Sequence, residues 1–391
     1  MAADHRARGM RPRSVCRIAA IVLGLLGPGA GASPIWNEAD LTFETTRWEI
    51  GESRAEQSAA VLSGDVAWDE RIAAHLELRG SRTTGSQSRI PPGASAAALV
   101  GWQPLPEWRF QLGCATPSGI RELDAATLGL SRRVGEPVLA LSDPDPARGW
   151  RAHLSALWGR SPRRGVGLLL GAGADLAASF RATPDLNLNP ADAITAHATV
   201  AWAVSGWRAH ARLHAVREGA DRGAGVVIRG GRTLYGFSLG GGLESSPVRL
   251  AAGLDVSRSG VCRVPHPEIY GLSRHPGPGT LGRFVLAAEP RVAWDLGGGL
   301  RLRPALDVAW RRVLPEGLPF ADGWASSAGV RLAIGKDGHE LTLGGIWERG
   351  RWRAGEEGAG RYAERLRGWR MSAALRWWRM AAPASVVEAD G

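Results

Sequence analysis

Residues 192–217, DAITAHATVAWAVSGWRAHARLHAVR, decide how the rest of the chain is read. Every second residue from Ile194 is apolar: Ile194, Ala196, Ala198, Val200, Trp202, Val204. After Ser205-Gly206 the alternation resumes as Trp207, Ala209, Ala211, Leu213, Ala215, against Arg208, His210, Arg212 and His214 on the other face. Period-two alternation either side of a short Ser-Gly connection predicts a β-hairpin. Each arm has about eleven residues, the length of a tilted strand that crosses a bilayer. One face is apolar throughout, the other carries Arg and His, and a Trp stands at each shoulder of the turn.

The pattern recurs along the chain. Short turns come roughly every forty residues, the spacing of a repeated supersecondary unit. They are Asp69-Glu70, Pro104–Glu107, Ser161–Arg164, Ser205-Gly206, Glu244–Pro247, Leu296–Gly299 and Lys336–His339. Alternating segments flank each one, as in 165–178, where Val166, Leu168, Leu170, Ala172, Ala174 and Leu176 share a face. Likewise 367–378 sets Trp369, Met371, Ala373, Leu375 and Trp377 against Arg370, Ser372 and Arg376. With 41–50, whose alternation is poor, this gives about sixteen strands, fourteen being the alternative count. Polar connections are expected at 51–57, 80–93, 117–148, 179–191, 218–231, 258–282, 312–323 and 351–366. Within 117–148, an exposed loop or an extra strand is the reading favoured; Leu123, Ala126, Leu130 and Val134 have helical spacing, which makes a short helix folded into the pore the alternative.

Tryptophan placement is a second, independent signal. Trp68, Trp102, Trp108, Trp158, Trp202, Trp207 and Trp294 lie close to short turns; Trp150, Trp310, Trp324, Trp347 and Trp369 lie beside the long connections. Two belts of amphipathic rings at headgroup depth would produce this distribution, whereas a soluble core buries its Trp mid-strand.

Residues 1–32 read as an export signal: Arg6, Arg8, Arg11, Arg13 and Arg17 precede an apolar core at Ile18–Leu26 and a small-residue cleavage pattern at Ala30-Gly31-Ala32. The expected organisation is then 1–32 signal peptide, 33–380 barrel and 381–391 a polar tail. Without five Arg and Asp4 of that signal, the 48 basic and 38 acidic residues become 43 and 37, a net of +6 rather than +10. Lys336 is the only Lys, so the Arg excess reflects composition and gives no case for a nucleic-acid partner. Cys114 and Cys262 fall in unrelated places and read as unpaired thiols.

Chemistry-bearing motifs are few. Gly236-Phe237-Ser238-Leu239-Gly240 matches a nucleophile elbow, but it falls within an alternating strand, not at a strand-to-helix turn. Gly171-Ala172-Gly173 lacks the third Gly and the helix of a nucleotide loop. Cys262, His266, Glu268 and His275 are metal-ligand types at no zinc spacing, interleaved with Pro265, Pro267, Pro276 and Pro278. No enzyme, cofactor or metal is therefore expected.

The polar face is the candidate site. About thirteen Arg point inward against about eight acids. Arg208, His210, Arg212 and His214 form the densest patch; Arg301, Arg303 and Arg311 form a second, and Arg249 and Arg291 complete the candidate pore lining. In an aqueous lumen fixed guanidinium charges concentrate anions. The competing reading is an Arg–carboxylate network that holds the wall in shape, for which Glu289, Arg291 and Asp295 beside Arg301, Arg303 and Asp307 are suited.

Over the whole mature length the chain resembles bacterial outer-membrane β-barrel proteins of the porin and small-solute transporter type. Thr116-Pro117-Ser118-Gly119 resembles a Pro-(Thr/Ser)-Gly signature of some of them. Their usual terminal aromatic residue is replaced here by a polar tail after Trp377-Trp378. The resemblance implies a single transmembrane up-and-down barrel in the outer membrane. It also implies passive passage of small solutes, with the bilayer and the insertion machinery as partners; the inward Arg excess makes the expected channel mildly anion-preferring. A structural or adhesive barrel with a closed lumen and ligand-binding loops is the alternative.

Overall fold

The computed structural model describes residues 35–51, 53–68, 71–85, 89–118, 149–160, 165–183, 186–243, 247–260, 279–290, 293–315, 322–336, 338–354 and 362–378. The expected signal peptide, the helically spaced segment 123–134, the Cys262–His275 cluster, Arg291 and the tail 381–391 lie outside the described residues.

In chain order the strands are β1 (Ile35–Ile50), β2 (Ser53–Ala67), β3 (Ile72–Gly85), β4 (Arg89–Leu105), β5 (Trp108–Ala115), β6 (Arg151–Gly159) and β7 (Gly165–Ala177). The short β8 (Phe180–Thr183) and β9 (Leu186–Asn189) follow, then β10 (Ala193–Val204), β11 (Trp207–Glu218), and the short β12 (Asp221–Gly223) and β13 (Val226–Arg229). The rest are β14 (Arg232–Leu243), β15 (Val248–Ser259), β16 (Gly279–Pro290), β17 (Trp294–Gly297), β18 (Leu300–Pro315), β19 (Asp322–Lys336), β20 (His339–Ala354) and β21 (Tyr362–Trp378).

Neighbours in sequence pair antiparallel, and β21 returns to β1 in register from Glu38↔Trp378 to Ile50↔Leu366. The sheet is closed. It has sixteen staves, because β16 and β17 are two pieces of one stave, both paired to β18. Pro290 ends the first piece, having no N–H to continue the ladder. Closure leaves no barrel edge, so every wall strand has a partner on both sides, the condition for standing in hydrocarbon. Among the described residues there is no helix, hence none long and apolar enough to cross a membrane.

The quoted hairpin is β10–β11, registered from Ala193↔Glu218 to Val204↔Trp207, with Gly206 at φ 78° in the turn. Its apolar face is open to the surroundings: Ile194 is 64% exposed, Val204 65% and Leu213 61%. Among the described residues no second protein layer covers it. The same face around the barrel carries exposed Leu168, Leu239, Leu286, Leu306, Leu343 and Leu375. Trp102, Trp108, Trp158, Trp202, Trp207 and Trp294 are exposed near one rim, and Trp310, Trp324 and Trp347 towards the other. Phe110 stacks on Trp108, with ring centres 5.8 Å apart.

One rim carries the tight turns and both ends of the barrel; the other carries the longer connections. Two of those expected to be long are not. β1 and β2 are joined across Gly51, and β3 and β4 leave only 86–88 between them. The ladders of β1–β4, β20 and β21 run past the apolar band into residues whose polarity reads as loop. Ladder hydrogen bonds do not need an apolar outer face once the strand is in water. The connections expected at 179–191 and 218–231 also hold structure: β8, β9, β12 and β13 form a separate four-stranded sheet in the order β13-β12-β9-β8.

Candidate functional site

The inner face is identified by what reaches across it. Arg303 and Arg311 on β18 pair with Glu340 and Glu348 on β20, skipping β19 between them. Adjacent strands are about 4.8 Å apart, so side chains two staves apart converge on a concave face and diverge on a convex one. The register then puts Arg208, His210, Arg212, His214, Arg249, Arg301, Arg303 and Arg311 on that face; Arg291 is outside the described residues.

These residues divide into two groups. Arg303 and Arg311 belong to a tied wall on β18–β21 and β1. There Arg331 grips Asp307 through two nitrogens at 2.5 and 3.1 Å, Arg376 holds Asp40 and Glu38 at 3.0 and 2.9 Å, and Arg370 holds Glu44 at 3.2 Å. Arg79–Glu77, His75–Asp65 and His153–Asp175 continue the pairing on β3 and β6. Above these pairs the inner face of β21 and β1–β4 is closed off: Trp48, Gln57, Thr83, Ile90 and Leu366 are at most 2% exposed. Gln57 Nε2 donates to Thr83 Oγ1 at 3.1 Å, which satisfies one buried amide.

The wall from β11 to β18 is different. Arg208, His210, Arg212, Arg249, Arg283 and Arg301 are exposed on the inner face. Among the described residues His197, His210, Arg212 and His214 form no ion pair. Of the acids here, Glu289 accepts from Arg249 at 2.8 Å, and Asp255 accepts the Ser238 hydroxyl at 2.5 Å. Asp295 caps its own turn through the Gly297 amide at 2.8 Å. Among the described residues it forms no ion pair with Arg301 opposite it, where the competing reading placed part of a network.

The imidazoles have seats. His210 and His214 lie opposite Gly240 and Gly236 on β14, and His197 opposite Gly171 on β7. A Cβ at Gly236 would fall 2.0 Å from His214 Nε2, one at Gly240 2.4 Å from His210 Cε1, and one at Gly171 2.2 Å from His197 Cε1. The rings lie over bare backbone on the neighbouring strand and leave the lumen clear. Gly236 and Gly240, the two ends of the stretch read in sequence as a failed hydrolase elbow, are two of these seats. Ser238 sits mid-strand in β14 with no sharp turn or helix after it. Among the described residues no three His, Cys, Asp or Glu gather as metal ligands, and Cys114 is a free thiol.

Sequence reasoning missed Arg283 and Arg331, and it missed Trp48. The first two were findable, as each alternates with outward residues (Phe284, and Val330 and Leu332). Trp48 was not, because 41–50 shows little alternation.

A closed barrel with a lipid-type outer band and a charged interior defines a class, the transmembrane β-barrels. No protein-family model matches the sequence, and no curated protein matches it. Solved structures similar in architecture include a bacterial polysaccharide outer membrane secretin, at 10% identity and TM-score 0.45, covering 89% of this chain and 100% of that one. OccK5 (OpdH) of Pseudomonas aeruginosa gives 11% and 0.44, over 88% and 98%. OpdK of Pseudomonas aeruginosa, with vanillate, gives 12% and 0.43, over 87% and 98%. At these values the likeness carries no functional inference for this chain.

Proposed function

We propose that this chain is an outer-membrane channel for passive passage of small solutes, with a mild preference for anions. The observation that carries the reading is the asymmetry of the inner face. On β19–β21 and β1–β4, with Arg303 and Arg311 of β18, the inward charges are tied and the upper layer is buried. On β11–β18 the exposed inward side chains are mostly cationic, with Arg208, Arg212, Arg283 and Arg301 along one path. Sixteen staves give a lumen wide enough for water. Fixed guanidinium groups beside such a path lower the barrier for anions and raise it for cations. No step of this role needs a cofactor, a metal or catalysis.

The test is single-channel recording in planar bilayers with a salt gradient. The proposal predicts steady conductance and a reversal potential on the anion side, moved towards cations by R208E/R212E. Absence of conductance in folded protein, or a reversal potential unmoved by the double variant, overturns it. The buried layer around Trp48 and the extra sheet at the long-loop rim favour a second reading, a closed barrel whose outer parts bind a ligand. That reading predicts no conductance at all.

A further inference from the structure

Four arginines stand on the outer wall, away from the lumen. On β20 and β21, Arg349 is directly opposite Arg367, and Arg351 directly opposite Arg365. All four are exposed. Like charges placed directly opposite on one face destabilise a sheet, and here two such pairs are stacked. Among the described residues none of the four forms an ion pair. The outward neighbours in register are Trp324 beside Arg351, Ser326 beside Arg349 and Glu49 beside Arg367. Glu49 is engaged elsewhere, 3.1 Å from Arg54 and 4.0 Å from Arg47. Among the described side chains nothing relieves this repulsion.

The position names the counter-charge. One pleat below, on the same outer face, Trp347 is opposite Trp369, and below that Gly345 is opposite Met371. Trp347 is 61% exposed, as a ring anchored at the membrane interface is. The arginines therefore stand just above the apolar band on the long-loop side, at the depth of lipid headgroups. Cross-strand Cα atoms are about 5 Å apart and alternate residues of one strand about 7 Å apart. Guanidinium forks on such a grid can hold one phosphate from two or more sides with paired N–H donors.

We infer that Arg349, Arg351, Arg365 and Arg367 form a binding site for the phosphate group of an anionic lipid in the leaflet on the long-loop side. The bound lipid neutralises the two like-charge pairs and lays its chains along Trp347, Trp369 and Met371. This site rests on the wall standing in a bilayer but not on conduction; heat-modifiable migration of the same preparation checks the former separately.

The experiment is native mass spectrometry of the full chain after exchange into vesicles of phosphatidylcholine and phosphatidylglycerol. Wild-type protein is expected to retain phosphatidylglycerol in preference, and R349Q/R351Q/R365Q/R367Q to lose that preference about tenfold. The lumen variant R208Q/R212Q is expected to keep it. Should the quadruple variant fold poorly, R349Q/R365Q breaks both like-charge pairs with half the change and should lose part of the preference. An unchanged preference in the outer-wall variants, or an equal loss in the lumen variant, overturns the site. Displacement of the lipid by inorganic phosphate alone also overturns it, since that outcome marks a site for free anions.

Discussion

At the scale of single residues, the position of His214 depends on what Gly236 lacks. With no Cβ on Gly236, the imidazole lies against the wall; any side chain there would claim the same space, 2.0 Å from Nε2. Gly236→Ala therefore has two outcomes open to it. Holding the ring in place would cost about 1–3 kcal/mol of overpacking. Swinging it into the lumen costs less, since Arg208, His210 and Arg212 nearby are already in contact with solvent. We predict the swing: a folded, heat-modifiable variant with reduced single-channel conductance. Unchanged conductance would mean that His214 does not line the passage. On β11 the inward side of Arg208, His210, Arg212 and His214 follows from alternation; the seats do not, because a glycine's role depends on the strand beside it. A different limit hid Trp48. Above the apolar band the phases invert: Arg47 and Glu49 face out at headgroup depth, and Trp48 faces in, 2% exposed. Leu366 between Arg365 and Arg367 repeats the inversion on β21. An alternation scored for lipid outside reads such a stretch as no strand at all.

At the scale of elements, the sheet of β8, β9, β12 and β13 is held by a compact charge network. Arg229 donates through Nε to Asp221 at 2.7 Å and through Nη1 to Glu218 at 2.7 Å, and Arg232 Nε donates to Glu218 at 2.8 Å. The Asp221 carboxylate also accepts the Ala191 amide at 2.7 Å, which ties the connection carrying β8 and β9 to the one carrying β12 and β13. Burial alone would lower the Arg229 guanidinium, but Asp221 and Glu218 outweigh it and hold it charged. Leu188 and Ile228 add small apolar contacts. Breaking a buried pair by removing one partner leaves an uncompensated carboxylate, at about 3–5 kcal/mol. Arg229→Ala is thus expected to open residues 178–231 to protease added outside vesicles, while the barrel keeps its heat-modifiable migration. Equal protease resistance in the variant would show that the network does not hold the sheet. None of this sheet was legible in sequence. Strands of three or four residues are too short to show a period, and the Ala191–Asp221 hydrogen bond depends on two connections meeting.

At the scale of the molecule, the account depends on which face of each strand meets lipid. The stave count, the closure of β21 on β1 and the crowding of tight turns at one rim follow from a single rule applied sixteen times. That rule is apolar outside, charged inside, through the thickness of the apolar band. It explains why so many Leu, Val and Trp side chains are exposed in a folded wall, a cost that only a hydrocarbon surrounding removes. It also explains why the inward charges can be numerous, tied on one side and solvated on the other. The measurement that tests it most directly is a cysteine scan of residues 208–215 on β11, in a background without Cys114 and Cys262, in intact vesicles. Cysteines at 208, 210, 212 and 214 should react with a water-soluble maleimide. Those at 209, 211, 213 and 215 should resist it and, once labelled with a fluorophore, be quenched by brominated lipid. Uniform reactivity along the strand, or odd positions shielded from both reagent and lipid, would contradict the account.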